Sequence, residues 1–139
     1  MIDIVNRQRR QNINQKHWRE FGARAIEAIG NRRDAVTIVF VSDTAIRRLN
    51  RQFRKKDYAT DVLSFPNEAE PFEDKTSLGE IVISVDRAGV QAKENRLTLQ
   101  NEIEQLILHG LLHLCGYDHE TDNGEMNRRE LKLRKKLGI

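Results

Sequence analysis

A single segment, residues 98–115, constrains the fold of this chain most, because its apolar side chains recur at helical spacing on nearly every side. One stripe along the predicted helix consists of Leu99, Ile103, Leu106, Ile107, Leu111 and Leu114. Leu108 and Leu112 make the opposite side apolar near the end of the helix. A helix that is hydrophobic all round is buried in the core of a protein. The sequence therefore predicts a central helix with other elements packed around it.

Three of the four histidines lie at the end of this helix and just beyond it. His109 and His113 are four residues apart, which places their side chains on the same helix face. Gly116 is suited to the left-handed residue that commonly ends a helix, so the chain can reverse and bring back His119. Three imidazoles with an open fourth position are typical of a catalytic zinc site. The sequence therefore predicts one Zn²⁺ ion per chain, although nickel, cobalt or iron also accept imidazole ligands.

Two neighbours of the histidines have other expected roles. Asp118 can supply an oxygen ligand or accept a hydrogen bond from an imidazole; we favour the second role, or that of a turn residue. Cys115 lies about 200° around the helix from His113 and is assigned to the core. It is the only cysteine, so the chain cannot form an intramolecular disulfide, which fits a reducing cytosol.

The spacing His-x-x-x-His-x-x-x-x-x-His resembles the zinc motif of the metzincin proteases. Those enzymes carry a glutamate directly after the first histidine, where it acts as the general base. Here that position is Gly110, which has no side chain to accept a proton. The sequence therefore predicts no peptidase activity by that mechanism.

The remaining periodicity predicts strands and helices in uneven alternation. Strands are expected at residues 2–5, 35–41, 62–65 and 78–85, and helices at residues 14–29, 44–55, 87–94, 98–115 and 122–137. Residues 67–76 are acidic and are expected to form a loop. Ser42 or Asp43 would cap the second helix, and Asp86 the third. We predict a single α+β domain over residues 1–139, with a small mixed β-sheet of three to four strands, about five helices, and a metal site at the end of a buried central helix.

The charge pattern suggests a polyanionic partner. The net charge is only +3, but basic residues are clustered, and the largest cluster comprises Arg47, Arg48, Arg51, Arg54, Lys55 and Lys56. Such a cluster either binds a polyanion or is a solvated helix face. No segment is apolar over the length of a membrane span, and the first residues lack the apolar core of a signal peptide. The expected location is the cytoplasm.

Three segments together are similar to one known family. Residues 109–119 resemble the histidine signature of the YbeY family of bacterial endoribonucleases. The second segment contains Leu49-Asn50, Phe53-Arg54 and Thr60-Asp61-Val62-Leu63-Ser64-Phe65-Pro66, and the third is Leu78-Gly79-Glu80-Ile81-Val82-Ile83-Ser84. They occur in the family's order. Two positions depart from it, because Ala59 stands where many members have proline and Phe53 where tyrosine is common.

The resemblance implies a single-strand-specific, zinc-dependent endoribonuclease acting in 16S rRNA 3′-end maturation and ribosome quality control. Its implied partners are the single-stranded 16S rRNA precursor, the ribosomal small subunit and assembly factors, with no DNA and no membrane. It also implies the three-histidine metal site and an important arginine, here Arg54. A guanidinium can hold two phosphate oxygens and stabilise the charge that develops during phosphodiester cleavage.

The rest of the basic cluster has a guiding role in this hypothesis. Arg47, Arg51, Lys55 and Lys56 would attract the RNA backbone by charge. Because few aromatic residues are available to stack bases, we expect little base-specific readout.

The sequence leaves the general base and two other functions open. Asp61 and Glu80 lie in the family-like segments and are candidate bases, although each can equally be structural. The sequence contains no cluster of carboxylates that could bridge two metal ions, so a two-metal nuclease is not expected. The competing functions are a zinc hydrolase acting on a peptide or small molecule, and a non-catalytic ribosome-assembly factor.

Overall fold

The computed structural model describes residues 1–67 and 76–139. Its strands are β1 (Ile2–Asn6), β2 (Ala35–Val41), β3 (Val62–Pro66) and β4 (Ser77–Ser84). Its helices are α1 (Gln15–Ile29), α2 (Asp43–Arg54), α3 (Val85–Glu94), α4 (Leu99–Leu114) and α5 (Glu125–Leu137). The predicted α+β class, with a mixed sheet and five helices, is confirmed for this part of the chain. The loop expected at residues 67–76 lies almost entirely outside the described residues.

The four strands form one sheet in the order β1-β2-β4-β3. β1 pairs with β2 and β2 with β4 in parallel, whereas β3 runs antiparallel to β4. Parallel neighbours require a crossover connection: α1 lies in the one between β1 and β2, and α2 and β3 lie in the one between β2 and β4. β3 stands last in the strand order, so it is an edge strand, with one side free of strand pairing among residues 1–67 and 76–139.

Both faces of the sheet are buried, and each face packs against different helices. Ile38, Phe40, Ile81 and Ile83 belong to the main core, together with side chains from α1 and α4. The alternate residues of the same strands point to the other face. There Val41 and Val82 form a second cluster with Leu63 of β3 and Ile46 of α2. This alternation follows from the two-residue side-chain period of a strand.

The central helix α4 is buried on most sides, as its sequence predicts. Ile103, Ile107 and Leu111 pack into the main core towards the sheet. Leu108 and Leu112 face the other way and form a cluster with Met126 and Leu133 of α5.

None of the described helices combines the length and the apolar character that crossing a membrane requires.

The N-terminal cap of α2 is one of the two residues predicted for it, whereas the cap of α3 is not the predicted residue. Ser42 caps α2, one of the two residues expected there, and its hydroxyl accepts a hydrogen bond from the Ala45 N–H. α3, however, is capped by Ser84 and not by Asp86. The Asp86 carboxylate instead accepts the Asp43 N–H and pairs with Arg10. The prediction was wrong because α3 begins directly at the end of β4, two residues earlier than the spacing suggested.

Gly79 allows the close approach of β3 and β4. Its φ is +129°, and a Cβ atom there would lie 2.1 Å from the Phe65 carbonyl oxygen. Only glycine adopts such a conformation readily. Gly79 thereby fixes the position of the edge strand β3, which borders the site described next.

Candidate metal centre

The end of α4 positions the three histidines. Gly116 has a φ of +98°, the left-handed conformation predicted for it. Its N–H donates to the His113 carbonyl and the Tyr117 N–H donates to the Leu112 carbonyl, at 3.0 and 3.1 Å. These two bonds are the pattern of a Schellman motif, which ends a helix and reverses the chain. His119 is thereby returned towards the face that carries His109 and His113.

The three imidazoles converge. One ligand atom from each of His109, His113 and His119 can be chosen so that all three lie within 4.8 Å of one another. The Nε2 atoms of His109 and His113 are 3.2 Å apart, and the ring centre of His119 lies 5.7 and 5.4 Å from those of the other two. The predicted trio is therefore brought together in a group that could hold a metal ion.

Hydrogen bonds orient two of the rings. The His109 Nδ1 lies 2.7 Å from the Glu130 Oε1, and the His113 Nδ1 lies 3.1 Å from the Tyr117 carbonyl oxygen. Both partners are acceptors, so each Nδ1 carries the hydrogen and donates. In the neutral ring the Nε2 then carries a lone pair. Partners of this kind fix the tautomer of metal-binding histidines.

The donor set fits a divalent metal ion. Two lone-pair nitrogens facing each other at 3.2 Å repel unless a cation lies between them. Nitrogens at zinc-bonding distance in a tetrahedral site are separated by roughly 3.3 Å. Burial, and then the neighbouring His109 and His119, lowers the pKa of His113 below its ordinary value. His113 therefore stays in the neutral form that binds metals to a lower pH than an exposed histidine would.

Asp118 and Cys115 do not belong to this group. The Asp118 carboxylate accepts the Glu120 N–H at 3.0 Å, and its carbonyl accepts the Asp122 N–H at 3.1 Å. It is thus a turn residue, one of the two roles favoured for it. Cys115 packs against the main core, and burial raises the pKa of its thiol, which keeps it protonated.

The metal-binding group opens into a cleft of about 770 Å³. The three histidines line it together with residues of the edge strand β3 and of the end of α2. Arg54, Lys56 and Asp61 are among the lining residues. Arg54 is exposed, and its guanidinium makes no hydrogen bond or ion pair with residues 1–67 or 76–139. An uncompensated cation therefore stands at the cleft that contains the three imidazoles.

The other basic residues are placed less directly. Arg47 forms an ion pair with Asp57 at 2.9 Å, and the hydrogen bond from Arg47 holds the pKa of that carboxyl below its usual range. Arg51 and Lys55 are exposed at the end of α2 but do not line the cleft. Of the four residues expected to guide RNA, only Lys56 borders the cleft.

The structure also distinguishes the candidate bases. Asp61 lines the cleft, whereas Glu80 is exposed on β4 and does not.

At position 110 a Cβ atom would lie 3.0–3.2 Å from the Ile81 side chain. Gly110 therefore lets α4 pack closely against the sheet, and a larger residue there would point to β4.

Glu130 is a residue of the site that was not predicted from the sequence. This residue is 7% exposed, and besides contacting His109 its Oε2 accepts a hydrogen bond from Arg134 at 2.9 Å. Burial by itself would raise the pKa of Glu130, but the hydrogen bond from His109 and the charges of His109 and Arg134 outweigh it and lower the pKa. The available signal was its position, because Met126, Glu130 and Leu133 form the buried stripe of α5. A carboxylate in an apolar stripe indicates a buried partner.

Replacing Glu130 with glutamine is expected to weaken metal binding. The variant removes the negative charge behind His109, and loss of such a partner typically lowers metal affinity by about 10- to 100-fold. Competition with a chromophoric chelator measures the affinity without reference to activity. Glu125→Gln, an exposed change on the same helix, should bind metal like the wild type. Equal affinities for both variants would show that Glu130 does not orient the ligand.

The fold and the site together define a class: a small α+β protein with a three-histidine candidate metal centre in a cleft that Arg54 and Lys56 also line. Comparison with known proteins narrows this class. The model of the family described as endoribonuclease YbeY matches residues 3–138. The chain belongs to the endoribonuclease YbeY family.

Individual relatives agree with the family match. A curated protein named endoribonuclease YbeY from Nautilia profundicola is 53% identical over 104 residues, covering 75% of this chain and 73% of the relative. One of the same name from Solibacter usitatus is 50% identical over 101 residues, covering 73% of this chain and 65% of the relative. The solution structure of TM1509 from Thermotoga maritima superposes with a TM-score of 0.66 at 30% identity, covering 99% of this chain and 89% of that one.

Proposed function

We propose that this protein is a single-strand-specific, zinc-dependent endoribonuclease. One observation carries the proposal: three converging imidazoles line the same cleft as Arg54, which has no ion-pair partner among residues 1–67 and 76–139. The membership of the family and the name of its curated relatives support an RNA substrate. By the same resemblance, we propose maturation of the 16S rRNA 3′ end and ribosome quality control as its cellular role, in the cytoplasm and on the ribosomal small subunit.

The metal in this proposal is zinc, one ion per chain, held by His109, His113 and His119. All three ligands are imidazoles, which suit zinc better than magnesium or calcium. When bound, zinc supplies a Lewis acid that polarises a phosphoryl oxygen and makes water a better nucleophile at neutral pH.

The chain's own residues would supply the remaining chemistry. The Arg54 guanidinium would donate hydrogen bonds to two oxygens of the scissile phosphate and stabilise the negative charge that increases during cleavage. Lys56, which also lines the cleft, would attract an adjoining backbone phosphate. Asp61 would accept a proton in this proposal, and the support for choosing it over Glu80 is that Asp61 lines the cleft and Glu80 does not.

A peptide substrate is less well supported. The position that holds the metzincin general base is here a glycine packed against Ile81, so no side chain from that position reaches the cleft. Arg54 and Lys56 at the cleft offer two cations to the phosphates of a polyanion, which a peptide backbone does not carry.

An RNA cleavage assay with the purified protein tests the proposal. The zinc-loaded protein is expected to cut single-stranded RNA and to leave a duplex of the same sequence intact. Treatment with a chelator should abolish cleavage, and added zinc should restore it, because the metal is held by exchangeable side-chain ligands. Cleavage that persists after complete removal of metal, or its absence in the zinc-loaded protein, would refute the proposed activity.

A further inference from the structure

Phe53 is an apolar side chain on the surface of the protein at the edge of the metal cleft. It lies in the last turn of α2 and is 58% exposed. The other large apolar side chains exposed in the described residues are Met1, Tyr58, Val90 and Leu131, and none of these lines the cleft. Among residues 1–67 and 76–139, Phe53 is therefore the one large exposed apolar side chain that lines the cleft.

The ring is held in place from one side. Phe53 and Phe65 contact each other in a T-shaped arrangement, with ring centres 5.3 Å apart and planes at 70°. Phe65 belongs to the edge strand β3 and packs against the cluster formed with Ile46 of α2. The support is therefore part of the fold, and the Phe53 ring is oriented before any ligand binds.

The basic residues around Phe53 indicate which class of ligand the ring would contact. Arg54 follows Phe53 directly and lines the same cleft, as does Lys56. A flat apolar surface flanked by cations is the combination that binds single-stranded nucleic acids, in which bases stack on aromatic rings and phosphates contact basic groups. A purely apolar partner would have no group to pair with the charge of Arg54.

We propose that Phe53 is the base-stacking residue of the cleft, receiving a nucleobase next to the phosphate bound by Arg54. The inference rests on the proposed function and adds how the strand is held. Stacking tolerates any base, because every base has a π-face. The ring therefore aligns an unpaired strand without reading its sequence, and it would reject a duplex, whose bases are already stacked on each other.

A double-mutant cycle between the ring and the base tests this role. Zinc-loaded protein is titrated with a fluorescent single-stranded oligonucleotide whose backbone resists hydrolysis, so that no cleavage occurs during the measurement. Phe53→Ala is expected to lower the affinity about 5- to 150-fold, the range that corresponds to the loss of one stacked base. Phe53→Trp should keep the affinity of the wild type. Tyr58→Ala, which removes an exposed aromatic ring outside the cleft, should also bind normally.

Oligonucleotides with one abasic nucleotide at successive positions complete the cycle. At one position the missing base should weaken binding by the wild type but cause no further loss in Phe53→Ala. Wild-type affinity in Phe53→Ala, equal losses in both proteins at every abasic position, or no binding by the wild type would each overturn the stacking role. Cleavage by the wild type is measured separately. Coupling without cleavage would refute the endoribonuclease and retain the stacking site, whereas cleavage without coupling would refute only the stacking site.

Discussion

Replacing His113 with alanine is expected to abolish both metal binding and RNA cleavage. His113 contributes the nitrogen that faces His109 Nε2 at 3.2 Å, so its removal leaves two of the three imidazoles. Loss of a residue that merely orients a ligand typically lowers metal affinity by about 10- to 100-fold, and loss of a ligand itself should exceed that range. Affinity is measured by chelator competition and cleavage with single-stranded RNA.

The matched control for this variant is His17→Ala. His17 is the remaining histidine of the chain and lies on α1, where it contacts Trp18. Its removal should leave the metal affinity unchanged. Thermal unfolding of both metal-free variants tests whether the fold is retained. A folded His113→Ala protein that binds zinc as tightly as the wild type would contradict the assignment of the ligands.

Charge reversal at Arg54 is expected to separate metal binding from catalysis. Arg54→Glu leaves the three imidazoles untouched, so zinc affinity should stay within a few-fold of the wild type. Cleavage should fall by about 100- to 1,000-fold, the usual cost of removing one group that stabilises the developing charge. The introduced carboxylate would in addition repel the phosphate.

Arg48→Glu is the matched control, because it makes the same change of charge on the same helix. Arg48 is exposed and does not line the cleft. Its effect should be limited to weaker long-range attraction of RNA, which disappears at higher salt. If both variants lose activity equally, only the net charge of α2 matters. If Arg54→Glu cleaves normally, the proposed role of Arg54 is wrong.

Local features of this protein could be predicted from the sequence. The length of α4, its burial and the shared face of His109 and His113 all depend on residues a few positions apart, whose geometry a helix fixes. The reversal at Gly116 depends on one glycine beyond the helix end. The candidate metal ligands were therefore found together with the helix that carries them.

Long-range features could not be predicted in the same way. Glu130 and His109 are 21 residues apart, and their contact depends on how α5 packs against α4. Arg47 was expected to face RNA, but its ion pair with Asp57 depends on the fold of the segment after α2. The order of the strands, with β4 between β2 and β3, depends on non-local pairing. The contact of Phe53 with Phe65 is likewise non-local, because it joins α2 to β3.

The most direct test of the account is to count zinc and identify its ligands in the wild-type protein. Equilibrium dialysis against zinc, followed by metal analysis, should give one ion per chain. X-ray absorption at the zinc edge should show imidazole nitrogens at about 2.0–2.1 Å. A folded protein that retains no zinc, or zinc bound without imidazole ligands, would contradict the central claim that His109, His113 and His119 form a metal site.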